Sequence, residues 1–166
     1  MTPDQAPDDH TGSADRTYDR LQHEVAVFAR RAEQTRLGAV GELRNSMDRA
    51  AYLLLGRLEA GGPMGVKALA QAMSIDSSTV TRQVTPLVEQ GLVDRVPNPD
   101  DGRAVLLELS AEGRARLHEV RSARKRLMAE MLDDWTVDDR ERFTALLTRF
   151  NGALEARHAR VPGNAS

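Results

Sequence analysis

The chain has 166 residues, enough for one domain of ordinary size, with 40% apolar and 29% charged residues, the balance of a globular protein rather than a disordered or fibrous one. It contains no cysteine, which excludes disulfides, thiolate metal sites, thiol nucleophiles and cysteine-based redox sensing. The formal charge of −2 excludes bulk attraction to nucleic acid, so any DNA contact has to come from a local arrangement of cations and helix ends.

Residues 1–14 carry Pro, Asp, Gly and Ser with no periodic apolar face and read as a disordered tail. This acidic start is unlike a signal peptide, and no apolar run reaches the roughly 20 residues that span a bilayer, so a cytoplasmic protein with no membrane partner is expected. From Asp15, the positions Tyr18, Leu21, Val25, Phe28 and Ala32 recur at three- and four-residue steps, the mark of a long amphipathic helix whose pattern continues past Leu37 toward Leu43. Asn45 or Ser46 is placed to cap a second helix, in which the run from Ala50 to Leu55 is apolar nearly all round, as expected of a central scaffold. Gly61-Gly62-Pro63 stops it.

Val66 to Met73 then reads as a short helix with Leu69, Ala72 and Met73 inward, followed by the tight turn Ser74-Ile75-Asp76. Asp76 is a natural N-cap for a helix from Ser77 to about Gln90, with the inward stripe Val80, Val84, Leu87 and Val88 and a stop at Gly91. Leu92–Val96 and Ala104–Leu109 read as strands joined by the turn-rich Asn98-Pro99-Asp100-Asp101-Gly102, a hairpin with a polar tip. Ser110 caps a long helix bearing Leu117, Val120, Leu127 and Met131 and running to about Asp133. Thr136 with Asp139 imitates a capping box and opens a last helix with Phe143, Leu146, Leu147, Phe150 and Leu154, before a polar tail over 159–166.

The expected fold is mainly α with a small β-wing: a winged helix-turn-helix over about 47–109, flanked by long helices over about 15–44 and 110–158, in one domain spanning 15–158. The flanking helices carry apolar stripes with no long-range partner in the winged region, which points to a two-fold homodimer held together by these dimerisation helices. In this layout the second short helix enters the DNA major groove. Its face outside the apolar stripe comprises Ser77, Ser78, Thr79, Thr81, Arg82, Gln83 and Thr85, side chains suited to guanine edges (Arg), adenine edges (Gln) and bases or phosphates (Ser, Thr). The helix N-terminus offers free N–H groups to a phosphate. A dimer sets two such helices roughly 34 Å apart, so double-stranded DNA with an inverted repeat is the expected partner.

The segment LAQAMSIDSSTVTRQVTPLVEQGLVDRVPNPDDGRAVLLELSAEG resembles the central signature of the MarR (multiple antibiotic resistance regulator) family, most strongly over roughly 50–133. The resemblance implies a dimeric transcriptional regulator, usually a repressor, with Arg103 as a minor-groove finger, Asp101 orienting basic side chains, Asn98 within the wing, and Arg95 in the place of a second arginine. It also implies a small aromatic or phenolic ligand between the dimerisation helices and the DNA-binding lobe, where His23 and Tyr52 are the polar candidates. A narrow minor groove concentrates negative potential, and a hairpin tip can deliver one long cation into it, with Gly102 easing the turn.

Two features run against the pattern. Between Val66 and Arg103 the cations Lys67, Arg82, Arg95 and Arg103 face Asp76, Glu89, Asp94, Asp100 and Asp101, so this half is not net basic. Pro86 lies inside the proposed recognition helix, where it removes one hydrogen bond and crowds the Arg82 carbonyl at a cost of about 3 kcal/mol in an ideal helix, so a kink or an open carbonyl is expected. No enzyme is expected, and no cofactor or metal: His10, His23, His118 and His158 are scattered, Gly61-Gly62 lacks the rest of a phosphate loop, and Asp133-Asp134 with Asp138-Asp139 reads as solvated helix ends. The rival is a winged-helix protein-interaction module, which has no need of an exposed Arg at the wing tip together with a Ser/Thr/Arg/Gln helix face.

Overall fold

The computed structural model describes residues 9–34 and 47–160. The first helix, α1 (Asp9–Gln34), forms a unit by itself. It begins ahead of the expected Asp15. Its apolar positions Tyr18, Leu21, Val25 and Phe28 are exposed. The continuation expected toward Leu43 and the expected caps Asn45 and Ser46 lie outside the described residues.

The second unit holds α2 (Arg49–Gly61), α3 (Val66–Met73), α4 (Ser77–Glu89), β1 (Val93–Pro97), β2 (Val105–Leu109), α5 (Ala111–Met131) and α6 (Val137–Arg160). Asp48 caps α2, its carboxylate accepting the Ala51 N–H at 2.7 Å. Leu54, Leu55 and Leu58 of α2 are buried among Leu69 of α3, Val80, Val84 and Leu87 of α4, Val93 and Leu107 of the hairpin, and Leu117 of α5. The central scaffold expected from the sequence is therefore real: α2 packs on α3, α4, α5 and β2. On its far side α2 is joined to α5 by an ion pair between Glu59 and Arg121 and by the Arg124 guanidinium, 3.7 Å from the Tyr52 ring centre.

The turn between α3 and α4 is made by Ser74, left-handed at φ 54°, with the Ile75 N–H closing back on the Ala70 carbonyl. β1 and β2 pair antiparallel with Val93 opposite Leu109, Arg95 opposite Leu107 and Pro97 opposite Val105. Met64, in the α2–α3 connection, adds an antiparallel bridge to Leu107 through two backbone hydrogen bonds, tying the base of the wing to the scaffold.

The hairpin joins the helical layer through a tight junction. Gly91 turns at φ 71°, a conformation glycine adopts freely, and the buried Ser110 Oγ donates to the Gly91 carbonyl at 2.6 Å. The same oxygen caps α5 by accepting the Gly113 N–H at 2.8 Å. Gly113 is buried against the Leu92 carbonyl so closely that a Cβ there would lie 2.0 Å from that oxygen. At the start of α6, Thr136 accepts the Asp139 N–H and donates to its carboxylate, while the rings of Trp135 and Phe143 meet edge to face at 5.4 Å.

Candidate nucleic-acid interface

The recognition helix α4 starts from an anionic cap. The Asp76 carboxylate accepts three hydrogen bonds, from the Ser78 hydroxyl, the Thr79 N–H at 2.7 Å and the Thr79 hydroxyl at 2.6 Å. These bonds, the Ser78 one first, hold the Asp76 carboxyl far below the usual carboxylate range. A carboxylate therefore sits at this helix end, where a phosphate meets a like charge, while of the backbone N–H groups its side chain takes that of Thr79.

The outward face of α4 is exposed at Ser77, Ser78, Thr81, Arg82 and Thr85, and Thr79 is half-buried. Thr81 and Thr85 donate their hydroxyl protons to the carbonyls of Ser77 and Thr81, both at 2.9 Å, so toward DNA they offer an oxygen acceptor and a methyl group. Arg82 donates from Nη2 to the Thr79 Oγ at 3.2 Å and, among the described residues, forms no ion pair.

Gln83 does not belong to that face. It is half-buried, its Oε1 is enclosed without a hydrogen-bond partner, and it lines a cavity of about 790 Å³ between the start of α2, α4 and the start of α5, with Asp48, Pro86, Glu112 and Arg116. The periodicity contains the signal: Gln83 stands three residues after Val80 and four before Leu87, on the flank of the inward stripe. Helix α4 continues through Pro86, whose own carbonyl accepts the Gln90 N–H, so the proline removes one N–H from the helix without ending it.

The wing tip is shaped by its own side chains. Asn98 accepts the Asp100 N–H at 3.1 Å, and Asp101 accepts the Arg103 N–H at 3.1 Å. Asp101 thus organises the Arg103 backbone, and no carboxylate pairs with the Arg103 guanidinium among the described residues. Gly102 has open space where a Cβ would lie and shows no positive φ, so the turn does not depend on it. Arg103 is exposed. Arg95 is on the β1 face shared with Leu107, where it lines a groove of about 260 Å³ with Thr81, Val66 and Val105, between the wing and α4.

The two candidate ligand residues are in different surroundings. His23 is exposed on α1. Tyr52 is half-buried with its ring covered by Arg124, and its hydroxyl interacts with Arg121, whose guanidinium is held above its ordinary pKa by the bond to Glu59 first and by Tyr52 second.

The family profile described as MarR family matches residues 47–105, from just before α2 to the first residue of β2. YxaD, an HTH-type transcriptional regulator of Bacillus subtilis (strain 168), is 33% identical over 134 residues, which cover 81% of this chain and 92% of YxaD. The HTH-type transcriptional repressor MdtR of the same organism is 30% identical over 59% of this chain and 66% of MdtR. Among solved structures, wild-type MarR in its apo form from E. coli superposes with a TM-score of 0.60 and 26% identity, over 80% of this chain and 95% of that one. A scaffold helix, a helix-turn-helix and a hairpin wing, with exposed arginines on the recognition face and at the wing tip that form no ion pair among the described residues, define a winged helix-turn-helix DNA-binding protein. The chain belongs to the MarR family and is a DNA-binding transcriptional regulator, not an enzyme. Regulators of this family bind DNA and act as dimers. No described helix is long and apolar enough to cross a membrane.

Proposed function

We propose that two copies of this chain bind an inverted repeat in double-stranded DNA and repress transcription from it, each placing α4 in a major groove and Arg103 in the neighbouring minor groove. The observation that carries this reading is that Arg82, Arg95 and Arg103 are exposed and free of ion pairs among the described residues, so none has to give up a carboxylate to meet a phosphate or base. Arg82 reads a base edge, flanked by Ser77, Ser78, Thr79, Thr81 and Thr85; Arg95 and Asn98 support the wing side, and Asp101 fixes the backbone from which Arg103 projects. Gln83, half-buried with its Oε1 enclosed, is left out of this contact set. Repression follows MdtR by likeness.

A small aromatic or phenolic ligand relieves DNA binding by favouring a spacing of the two recognition helices that does not fit DNA, its effect set by its differential affinity for the two spacings. Tyr52, whose ring already stacks under a guanidinium, is its candidate contact on α2, and the protein acts in the cytoplasm.

Selection of the purified protein on random duplex DNA tests the DNA reading. An enriched inverted repeat is expected, and Arg103→Ala should weaken binding to it and flatten its salt dependence by roughly one unit of log–log slope. Failure of the wild type to enrich any sequence at low salt overturns the proposal.

A further inference from the structure

Asp76, Thr79 and Arg82 are spaced by three residues and form one continuous hydrogen-bonded line along the exposed side of α4. The direction of each bond is fixed by chemistry. A carboxylate only accepts, so the Thr79 hydroxyl must donate its single proton to Asp76; a guanidinium only donates, so Arg82 Nη2 must use a lone pair that Thr79 has left. Asp76 is exposed, stays ionised throughout the neutral range, and is not among the residues expected to touch DNA.

We infer that Asp76 is a specificity-determining positioning residue: through Thr79 it holds the Arg82 guanidinium in one orientation for bidentate recognition of a base edge. The inference rests on the DNA-binding reading of α4. A long arginine side chain has many rotamers, and a fixed fork loses less entropy on meeting guanine O6 and N7 than a free one. The same carboxylate contributes negative charge at the helix end, so it weakens attraction to phosphate in general while sharpening the choice of base. The arrangement trades sequence-independent affinity for discrimination, which fits a recognition region that carries no excess of cations.

The substitution Asp76→Asn separates these roles. An asparagine at this position still caps, accepting the Thr79 N–H through its amide oxygen, but its NH₂ group faces the Thr79 hydroxyl, which then accepts instead of donating, so the charge-assisted bond that fixes the hydroxyl is lost. Thr79→Val cuts the line while leaving the Asp76 cap on the backbone N–H, and Thr79→Ser keeps it. Selection on random duplex DNA with wild type, Arg82→Ala, Asp76→Asn, Thr79→Val and Thr79→Ser provides the test, with circular dichroism confirming helix content.

Arg82→Ala identifies the base pair in each half-site whose preference depends on Arg82. At that pair Asp76→Asn and Thr79→Val should each lose about tenfold in preference, Thr79→Ser should restore it, and the Asp76→Asn loss should vanish on an Arg82→Ala background. A uniform loss of affinity with base preferences intact would show that Asp76 is only a cap, and no change would show that Arg82 orients itself; either outcome overturns the inference while leaving the DNA-binding reading in place. Failure of the wild type itself to enrich a sequence overturns both.

Discussion

At the scale of single residues, the position that tolerates least is Gly113. It belongs to the first turn of α5, away from the recognition face, and its absent side chain lets that turn rest on the Leu92 carbonyl. A Cβ would stand 2.0 Å from that oxygen, 2.8 Å from Leu109 Cδ1 and 2.9 Å from the Leu92 carbonyl carbon. Two of those three atoms are backbone, at the foot of β1, so they cannot swing aside as a flexible side chain would. Gly113→Ala should therefore push α5 off the wing and cost about 3 kcal/mol, a loss on the order of 10 °C in melting temperature. Thermal unfolding of the purified variant checks this, and a change below about 2 °C would show that the junction is softer than its geometry. Ser110 reinforces the same point with its paired bonds to Gly91 and Gly113, so the wing and α5 meet through backbone contacts rather than through large side chains.

At the scale of elements, α4 combines a strong start with a weak middle. Asp76 satisfies its first turn, whereas Pro86 leaves the Arg82 carbonyl without the N–H that an ordinary residue would supply. Pro86 is exposed, so an alanine there adds a backbone hydrogen bond and loses little packing. Pro86→Ala should raise stability by about 1 to 3 kcal/mol, the lower figure reflecting the greater freedom that alanine gives the unfolded chain. Denaturant unfolding with an unchanged m-value measures it, and a destabilised variant would show that the ring itself is a packing element of the neighbouring cavity. The elements that the residues announce are those whose signals are local: the Asp76 cap, the Thr136–Asp139 box and the Val80–Val84–Leu87 stripe all act over three or four positions. Local signals fail where several compete or where the partner is distant. Residue type points to Asn45 or Ser46 as the cap of α2, but it is Asp48 that holds the Ala51 N–H and opens the helix. The Met64–Leu107 bridge, the Arg124 cover on Tyr52 and the groove beneath Arg95 depend on residues tens of positions apart, which periodicity does not register. In the candidate interface the arginines and hydroxyls are legible from residue type, but which hydroxyls remain free, and that Gln83 turns inward, depends on bonds and packing formed only in the fold.

At the scale of the whole molecule, the apolar face of α6 demands an explanation that its own unit does not give among the described residues. Phe143, Leu146, Leu147, Phe150 and Leu154 recur at helical spacing and are each 38% to 60% exposed. A stripe of this kind left in water promotes association, and the family to which the chain belongs acts through dimers. If α6 is part of the dimer contact, a charge at its centre should separate the copies without unfolding either one, because the side chain replaced is already half in solvent. Phe150→Glu is the substitution to make: sedimentation at micromolar concentration should show a monomer with unchanged circular dichroism. The consequence for DNA follows from linkage. Two recognition helices joined in a dimer bind the second half-site at a high effective concentration, and a monomer has to bind each half-site from bulk solution. Affinity for the inverted repeat should fall by a factor of about 10² to 10⁴, while binding to an isolated half-site at low salt should be nearly the same as for the wild type. A variant that stays dimeric and keeps its affinity would remove α6 from the contact and leave its stripe to another partner.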